Sequence, residues 1–489
     1  MPVPPDSPAS QRPHLHYTAR RHWVNDPNGL IYVNGVYHLY YQHNPHANAP
    51  GHLSWGHASS PDLLHWTEQA VALPERETHM IFSGSAVTDW HNSSGLGDGQ
   101  RPPLVALYTG HTDAHPARLH LAQRHHQAQY LAYSLDGGES WRYGGESAVL
   151  DLDKSDFRDP KLLWDEAGGR WLMLLVHPDE RQVEFYSSAD LHVWTSLSVF
   201  GPAGELAGIW EVPEFFALSD AQGQRRWVLK VDFNPGGPHG GSGSQYWVGD
   251  FDGARFTPLT PARPLDWGKD FYAALSFSDL TARRVWLAWM NNWQYAQRLP
   301  THPWRGSFSL PRELSLGPDW SLLQRPVPEL ETLREERAVL EGGAVSLELH
   351  PDKAHELRLS LRPAAELTLQ LRSAGVGSAG SGSAGGVEAE LRVEGGHLHL
   401  TRPAHPQVPD FGGSFAAPLP DAQAALDLHL IVDAGSLEVF AAGGAVVLTC
   451  LLLPAAPLQT LRLDAAAGAF SGEWCSLRPI WGRGEPQSS

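Results

Sequence analysis

The sequence predicts an all-β protein, a five-bladed β-propeller followed by a C-terminal β-sandwich. Three observations predict it: two kinds of internal echo, a composition suited to short strands, and a change of pattern after Leu314. The chain of 489 residues is too long for one ordinary core, since domains usually take about 100 to 200 residues. Its 48 Gly, 39 Pro and 19 Trp, against 4 Met, fit tight turns and strands better than long helices.

The first echo is a strand, a turn and a returning aromatic: Ser60-Pro-Asp62-Leu-Leu-His-Trp66, Ser134-Leu-Asp136-Gly-Gly-Glu-Ser-Trp141, Ser188-Ala-Asp190-Leu-His-Val-Trp194 and Asp250-Phe-Asp252-Gly-Ala-Arg-Phe256. Each Asp can turn the chain through an Asx-type bond. The second echo is a polar residue just ahead of an apolar strand, at Asp26, Ser83, Asp159, Glu211 and Asp270. Their spacing of roughly 50 to 75 residues suits one four-stranded antiparallel sheet with its turns, and five such units make a five-bladed propeller.

Hairpins can be read inside the units. Leu30–Val33 and Val36–Tyr41 flank Asn34-Gly35, the pair best able to supply positive φ at both centres of a type I′ turn. Lys161–Trp164 and Arg170–Val176 surround the turn-forming Asp165 to Gly169. Both strand pairs begin directly after an acid, which places those acids at blade starts, where blades converge on a central channel.

The expected boundaries are a catalytic propeller over 14–325, a linker over 326–337 and a sandwich over 338–484. Within the linker, Pro328 to Arg337 has helix formers with acids early and bases late, which predicts a short helix. Alternating segments such as Val345–His350 and Leu428–Val432 predict the sandwich. The Gly, Ser and Ala run from Ser373 to Gly386 reads as a flexible surface loop inside it.

Composition also excludes functions. The formal net charge of −18 argues against nucleic acid or an anionic membrane as partner. Met1 to Arg20 lacks the apolar run of a secretory signal, and no later run is long enough to span a bilayer; a cytoplasmic location is the expectation, with secretion of a trimmed form left open. Cys450 and Cys475 are the only cysteines, so there is no disulfide framework, and whether the two pair stays open. No HExxH or Cys/His spacing occurs, and neither metal nor other cofactor is expected. His125-His126 and His14-Leu-His16 read as solvated loop histidines, and Asp232 to His239 as a turn at a pocket rim. The oligomeric state is open.

Three segments carry chemistry. Trp23-Val-Asn25-Asp26-Pro27-Asn28-Gly29 contains two turn formers, and turn chemistry alone could explain it. Phe157-Arg158-Asp159-Pro160 and Trp210-Glu211-Val212-Pro213 change that reading, because each sets an acid ahead of a proline and an apolar strand in a different repeat. Three converging carboxylates are costly to bury, so turn chemistry would not favour them. Glycoside cleavage needs such convergence: one carboxylate attacks the anomeric carbon while a protonated one serves the leaving oxygen. Neighbouring negative charge favours the protonated acid, and Arg158 is placed to hold the third carboxylate ionised.

These residues resemble glycoside hydrolase family 32 and, within it, the invertase, exo-inulinase and exo-levanase group. The similar segments are Trp23–Gly29, Tyr37–Gln42, Trp55–Ala58, Phe82–Gly84, Arg158–Pro160, Trp210–Pro213, Asp270–Ala273, Trp289–Trp293, Ser309–Leu314 and, in the second domain, Ser436–Phe440. The resemblance implies a propeller that carries the active site, with Asp26 as nucleophile, Glu211 as acid/base and Asp159 as transition-state stabiliser. It also implies that Asn25, Gln42, Trp55, Ser83 and Arg158 hold the fructosyl unit, and that Phe82 and Trp293 are apolar walls. The implied activity is that of a retaining β-fructofuranosidase acting by exo attack on terminal non-reducing fructosyl residues of sucrose, inulin and levan, with the fructoside as the partner. Val212 stands where some bacterial members carry Cys beside the acid/base, which bears on the pH response. The competing readings are a fructosyltransferase on the same scaffold, a non-catalytic carbohydrate-binding propeller and a hydrolase for arabinan or xylan.

Overall fold

The computed structural model describes residues 12–113, 125–374, 386–421 and 423–481. Five antiparallel sheets follow one another along the chain and begin with the innermost strands His22–Val33, Met80–Thr88, Arg158–Asp165, Ile209–Ser219 and Tyr272–Ser276. We number them blades 1 to 5. Each inner strand pairs with the strand that follows it, and the sheet then steps outward. Trp304–Arg305, from within blade 5, lies parallel to His22 and Trp23, so that chain from the last blade closes the ring on the first.

The Asp turns recur as the sequence suggests. Asp62 Oδ1 accepts from the backbone N–H of Leu64 at 3.0 Å and His65 at 2.8 Å; Asp190 and Asp252 repeat the arrangement with His192 and Val193, and with Ala254 and Arg255. Each such turn lets the returning aromatic, Trp66 or Phe256 for example, fold back into the sheet, where both are buried.

The second domain is a sandwich of two six-stranded antiparallel sheets. Leu367–Ser373 alternates strictly between buried and half-buried positions, as a strand with one face on a core must. The predicted helix is shorter than expected. A 3-10 helix covers Pro328–Leu333, burying Leu330 and Leu333, and Arg334–Glu341 is already the first sandwich strand, paired with Phe470–Leu477. Tertiary pairing overrides the local charge signal there; Arg334 Nε meets Glu356 Oε2 at 2.5 Å. Residues 375–385 of the predicted surface loop lie outside the described residues.

The domains are joined by buried charges. His16 is not a solvated loop residue: it is fully buried, with Nδ1 2.7 Å from Asp433 and Nε2 2.8 Å from Glu438, two carboxylates of the sandwich. Glu438 also meets Arg312 of blade 5 at 2.5 Å, and Arg312 continues to Asp266 at 3.2 Å. Burial alone would lower the His16 pKa, but the hydrogen bonds to Asp433 and Glu438 outweigh it and push the imidazole up to about 9. Glu438, despite burial, is held down to about 2 by Arg312 and His16.

These shifts fix a pH window. A His raised on folding adds stability that is full below its unfolded pKa near 6.5 and is lost as pH rises through about 9. His16→Asn should therefore lower stability by on the order of 3 kcal/mol at pH 6, and the gap to wild type should narrow between pH 7 and 9. Melting temperatures of the two proteins across that range test this; a gap independent of pH would show that His16 is neutral in the fold.

Candidate active site

The site is built on one backbone device used five times. Between Val24 and Pro27, Ile81 and Gly84, Arg158 and Lys161, Glu211 and Glu214, and Tyr272 and Leu275, the inner strand advances three residues while its partner advances two. Each is a β-bulge, which bends the strand and re-aims its side chains. In three blades a bulged residue takes positive φ: Asp159 at 65°, Val212 at 45° and Ala273 at 57°.

The bulges also refine the sequence register. Asp26 and Ser83 are the second bulged residues of their blades, Asp159 is the first of its own, and Glu211 is the residue just before. The acids thus occupy neighbouring positions of one motif rather than one equivalent position. In blade 5 the counterpart of Glu211 is Tyr272. Asp270, the fifth member of the sequence echo, instead faces the sandwich, with Oδ2 2.6 Å from Arg402 and 2.9 Å from the Leu451 N–H.

Around Asp26, both carboxylate oxygens are occupied: Ser83 Oγ donates to Oδ2 at 2.7 Å and Asn25 Nδ2 to Oδ1 at 3.0 Å. Asn25 is itself oriented by Trp23, whose indole N–H donates to Oδ1 at 2.7 Å. Asp159 Oδ2 accepts from the Val212 N–H at 2.8 Å, so the blade 4 bulge holds the blade 3 acid. Glu211 Oε1 accepts from Arg158 Nη2 at 3.1 Å, and Oε2 accepts from the Tyr272 hydroxyl at 2.5 Å. The Glu211 side chain is 19% exposed against 5% for Asp159, so Glu211 is the more open to a departing group.

Burial raises the pKa of Asp26, opposed by Ser83 and Asn25 and reinforced by Glu211. Burial likewise pushes Asp159 up to about 7, with Arg158 opposing and Glu211 and Asp26 reinforcing. Both shifts favour the protonated form, and the neighbouring carboxyls reinforce one another. One ionised and one protonated carboxyl at the same pocket is the arrangement that double displacement at an acetal carbon requires.

The remaining predicted residues divide. Phe82 is half-buried and stacks on His111 at 4.4 Å; Trp293, also half-buried, packs 4.8 Å from Trp289 and 5.8 Å from Trp23. Gln42 commits one amide N–H to the Ile81 carbonyl at 3.0 Å. Trp55 is fully buried, packed against Gly29, Tyr40 and Tyr108, and its N–H donates to the Phe82 carbonyl at 3.0 Å. It props the blade 2 bulge from below. Three groups escaped the sequence reading. Tyr272 lies in the similar Asp270–Ala273 segment, and His111 carried no signal. Asp232, read as part of a rim turn, is fully buried and pairs in register with Glu211.

No group of three or more potential metal ligands occurs among the described residues. A cleft of about 840 Å³ between the domains, lined by Arg325, Arg358, His429 and Phe440 among others, contains none of the three acids.

A family model described as "Glycosyl hydrolases family 32 N-terminal domain" matches residues 16–326, and one described as "Glycosyl hydrolases family 32 C terminal" matches 329–478. The levanase of Bacillus subtilis is 38% identical over 96% of this chain and 71% of its own. The crystal structure of the exo-inulinase from Aspergillus awamori superposes with a TM-score of 0.86 at 30% identity, covering 98% of this chain and 100% of that one. The β-fructofuranosidase from Schwanniomyces occidentalis complexed with fructosyl-erythritol gives 0.86 at 28%, covering 97% and 99%.

The electrostatics can be tested without any substrate. Removing the guanidinium in Arg158→Met should raise the Asp159 pKa further above about 7, by about one unit or more, because an opposite charge at this range favours ionisation. Carbon NMR of labelled Asp carboxyls reads it directly, and an unmoved titration would mean that Arg158 does not act on the acids.

Proposed function

The chain belongs to glycosyl hydrolases family 32, and on that premise we propose that Asp26, Glu211 and Asp159 divide the chemistry of a retaining β-fructofuranosidase. The enzyme hydrolyses terminal non-reducing β-D-fructofuranosyl residues of sucrose and of fructans such as inulin and levan, by exo attack. The observation that carries the assignment is the unlike setting of two carboxyls. Asp26 is buried and fixed through both oxygens, while Glu211 is more open and is held by Arg158 and Tyr272.

In the first step an Asp26 oxygen bonds to the anomeric carbon of the fructosyl unit. The bond to the leaving oxygen breaks, and Glu211 gives that oxygen its proton. In the second step Glu211, now ionised, takes a proton from water as the water oxygen bonds to the same carbon, and the ester to Asp26 breaks. Two inversions give net retention. Ser83 and Asn25 stabilise the carboxylate of Asp26 when it leaves, by the same two hydrogen bonds that hold it in the free enzyme. Asp159, anchored on the Val212 N–H, keeps its other oxygen for a sugar hydroxyl, a bond that strengthens as positive charge develops on the ring. Trp293 and Phe82 offer apolar surface to the sugar at the rim.

Asp26→Asn, Glu211→Gln and Asp159→Asn should each keep the wild-type fold and lower kcat by about 100-fold or more, with a smaller change in KM. A variant retaining more than a tenth of wild-type kcat would remove that residue from its role. NMR of the first product should show β-fructofuranose, and early inulin digests should contain fructose rather than oligosaccharides. First-formed α anomer would dismiss Asp26 as nucleophile.

A further inference from the structure

Behind the three acids lies a buried pair that the mechanism does not use. Lys230 and Asp232 sit two residues apart on the second strand of blade 4, Arg225–Asn234, and both are fully buried. The Lys230 ammonium makes three hydrogen bonds: to Asp232 Oδ2 at 2.5 Å, to the Val212 carbonyl at 3.1 Å and to the Ala274 carbonyl at 3.0 Å. Val212 and Ala274 are bulged residues of blades 4 and 5. The cation therefore satisfies two backbone carbonyls that the bulges withdraw from the ladder, and all three of its donors are spent. A buried charge of this kind needs a counter-ion.

Asp232 supplies it, but in an unusual place. It is paired across the ladder with Glu211 on one side and Ser244 on the other, and the Ser244 hydroxyl favours its ionised form. The titratable and charged groups around it are Lys230 on its own strand, Glu211 and Glu214 on the inner strand of blade 4, Tyr272 in blade 5, Asp26 in blade 1, and Arg158, Asp159 and Lys161 in blade 3. The neighbouring strand Gly243–Phe251 faces it with Ser244, which is uncharged. Burial pushes Asp232 up to about 7, with Lys230 opposing and Asp26 adding to the rise.

We propose that Asp232 is a positioning residue for hydrolysis: it cancels the structural charge of Lys230 behind Glu211 and so sets the pH window in which the pocket holds one proton and one nucleophile. Lys230 is fixed by the backbone it serves, so its field would otherwise reach Asp26 and Glu211 undiminished and favour their ionised forms. The inference rests on the acid/base assignment of Glu211. It gives Asp232 no contact with the sugar, consistent with its full burial.

The test is the pH profile of kcat/KM on sucrose. Asp232→Asn keeps the shape and leaves Lys230 unneutralised, so both limbs should move to lower pH, by about one unit. The double variant Lys230→Met with Asp232→Asn removes both charges, and its limbs should return toward the wild-type positions. If the double variant does not fold, the single variant decides alone. Limbs within about 0.3 unit of wild type in Asp232→Asn, with only kcat or melting temperature reduced, would overturn the proposal and leave Asp232 a purely structural counter-ion. Glu211→Gln separates this failure from that of the underlying assignment. It should lose the upper limb altogether, and a Glu211→Gln profile like that of wild type would condemn the acid/base role rather than Asp232.

Discussion

A regular strand sends alternate side chains to opposite faces, so an unbroken inner strand could aim at the propeller axis only every second residue. The extra residue at the start of all five inner strands removes that limit and sets the terms for everything else in the site. It allows Asn25 and Asp26, or Arg158 and Asp159, to serve the same pocket although they are adjacent in sequence. It also frees backbone groups from the ladder, and these must find partners in a place with little water. Neighbouring blades provide them. Gln42 and Trp55 of blade 1 take the Ile81 and Phe82 carbonyls, Ser85 of blade 2 takes the Pro160 carbonyl, Thr109 accepts from the Asp159 N–H, and Lys230 takes the carbonyls of Val212 and Ala274. The residues that look like a list of polar contacts are in large part the scaffolding of five bulges.

The sandwich joins the same system from outside. Arg402, fully buried, reaches from it to Asp270 and to the Tyr295 hydroxyl, and its guanidinium lies 3.8 Å from the Phe411 ring centroid. Asp270 stands two residues before Tyr272, which holds Glu211, and Tyr295 stands two residues after Trp293, which packs on Trp289 and Trp23. The second domain thus grips the blade that closes the ring at two points. The His16, Asp433, Glu438 and Arg312 network makes a separate grip, tying the N-terminal segment to the same junction. Both grips are built from buried charges on either side of the domain junction.

What the sequence disclosed follows the range of the interactions involved. The Asp turns were legible because a carboxylate and the N–H groups it accepts from are two or three residues apart, as at Asp62 with Leu64 and His65. The acids were legible because each stands one or two residues ahead of a proline and an apolar run, in a different repeat. The missed features depend on partners far along the chain: His16 meets Glu438 across 422 positions, and Tyr272 meets Glu211 across 61. Asp232 reads from sequence as the start of a rim turn, and Lys230 carries no signal, since nothing local marks that face as buried. The helix expected to Arg337 failed for the same reason, its acid-to-base gradient being outweighed by pairing with Phe470–Leu477 at the far end of the chain.

The charge of the pocket explains why it can hold a proton at all. Four buried or nearly buried carboxyls, Asp26, Asp159, Glu211 and Asp232, face two cations, Arg158 and Lys230. Fully ionised, the group would carry two uncompensated negative charges in a region of low dielectric, where each costs far more than in water. Taking up one proton halves that excess, and giving it up becomes favourable once the leaving oxygen gains electron density and the sugar ring develops compensating positive charge. The bulges decide where these carboxyls point, and the excess of carboxyls over cations favours the retention of a proton among them.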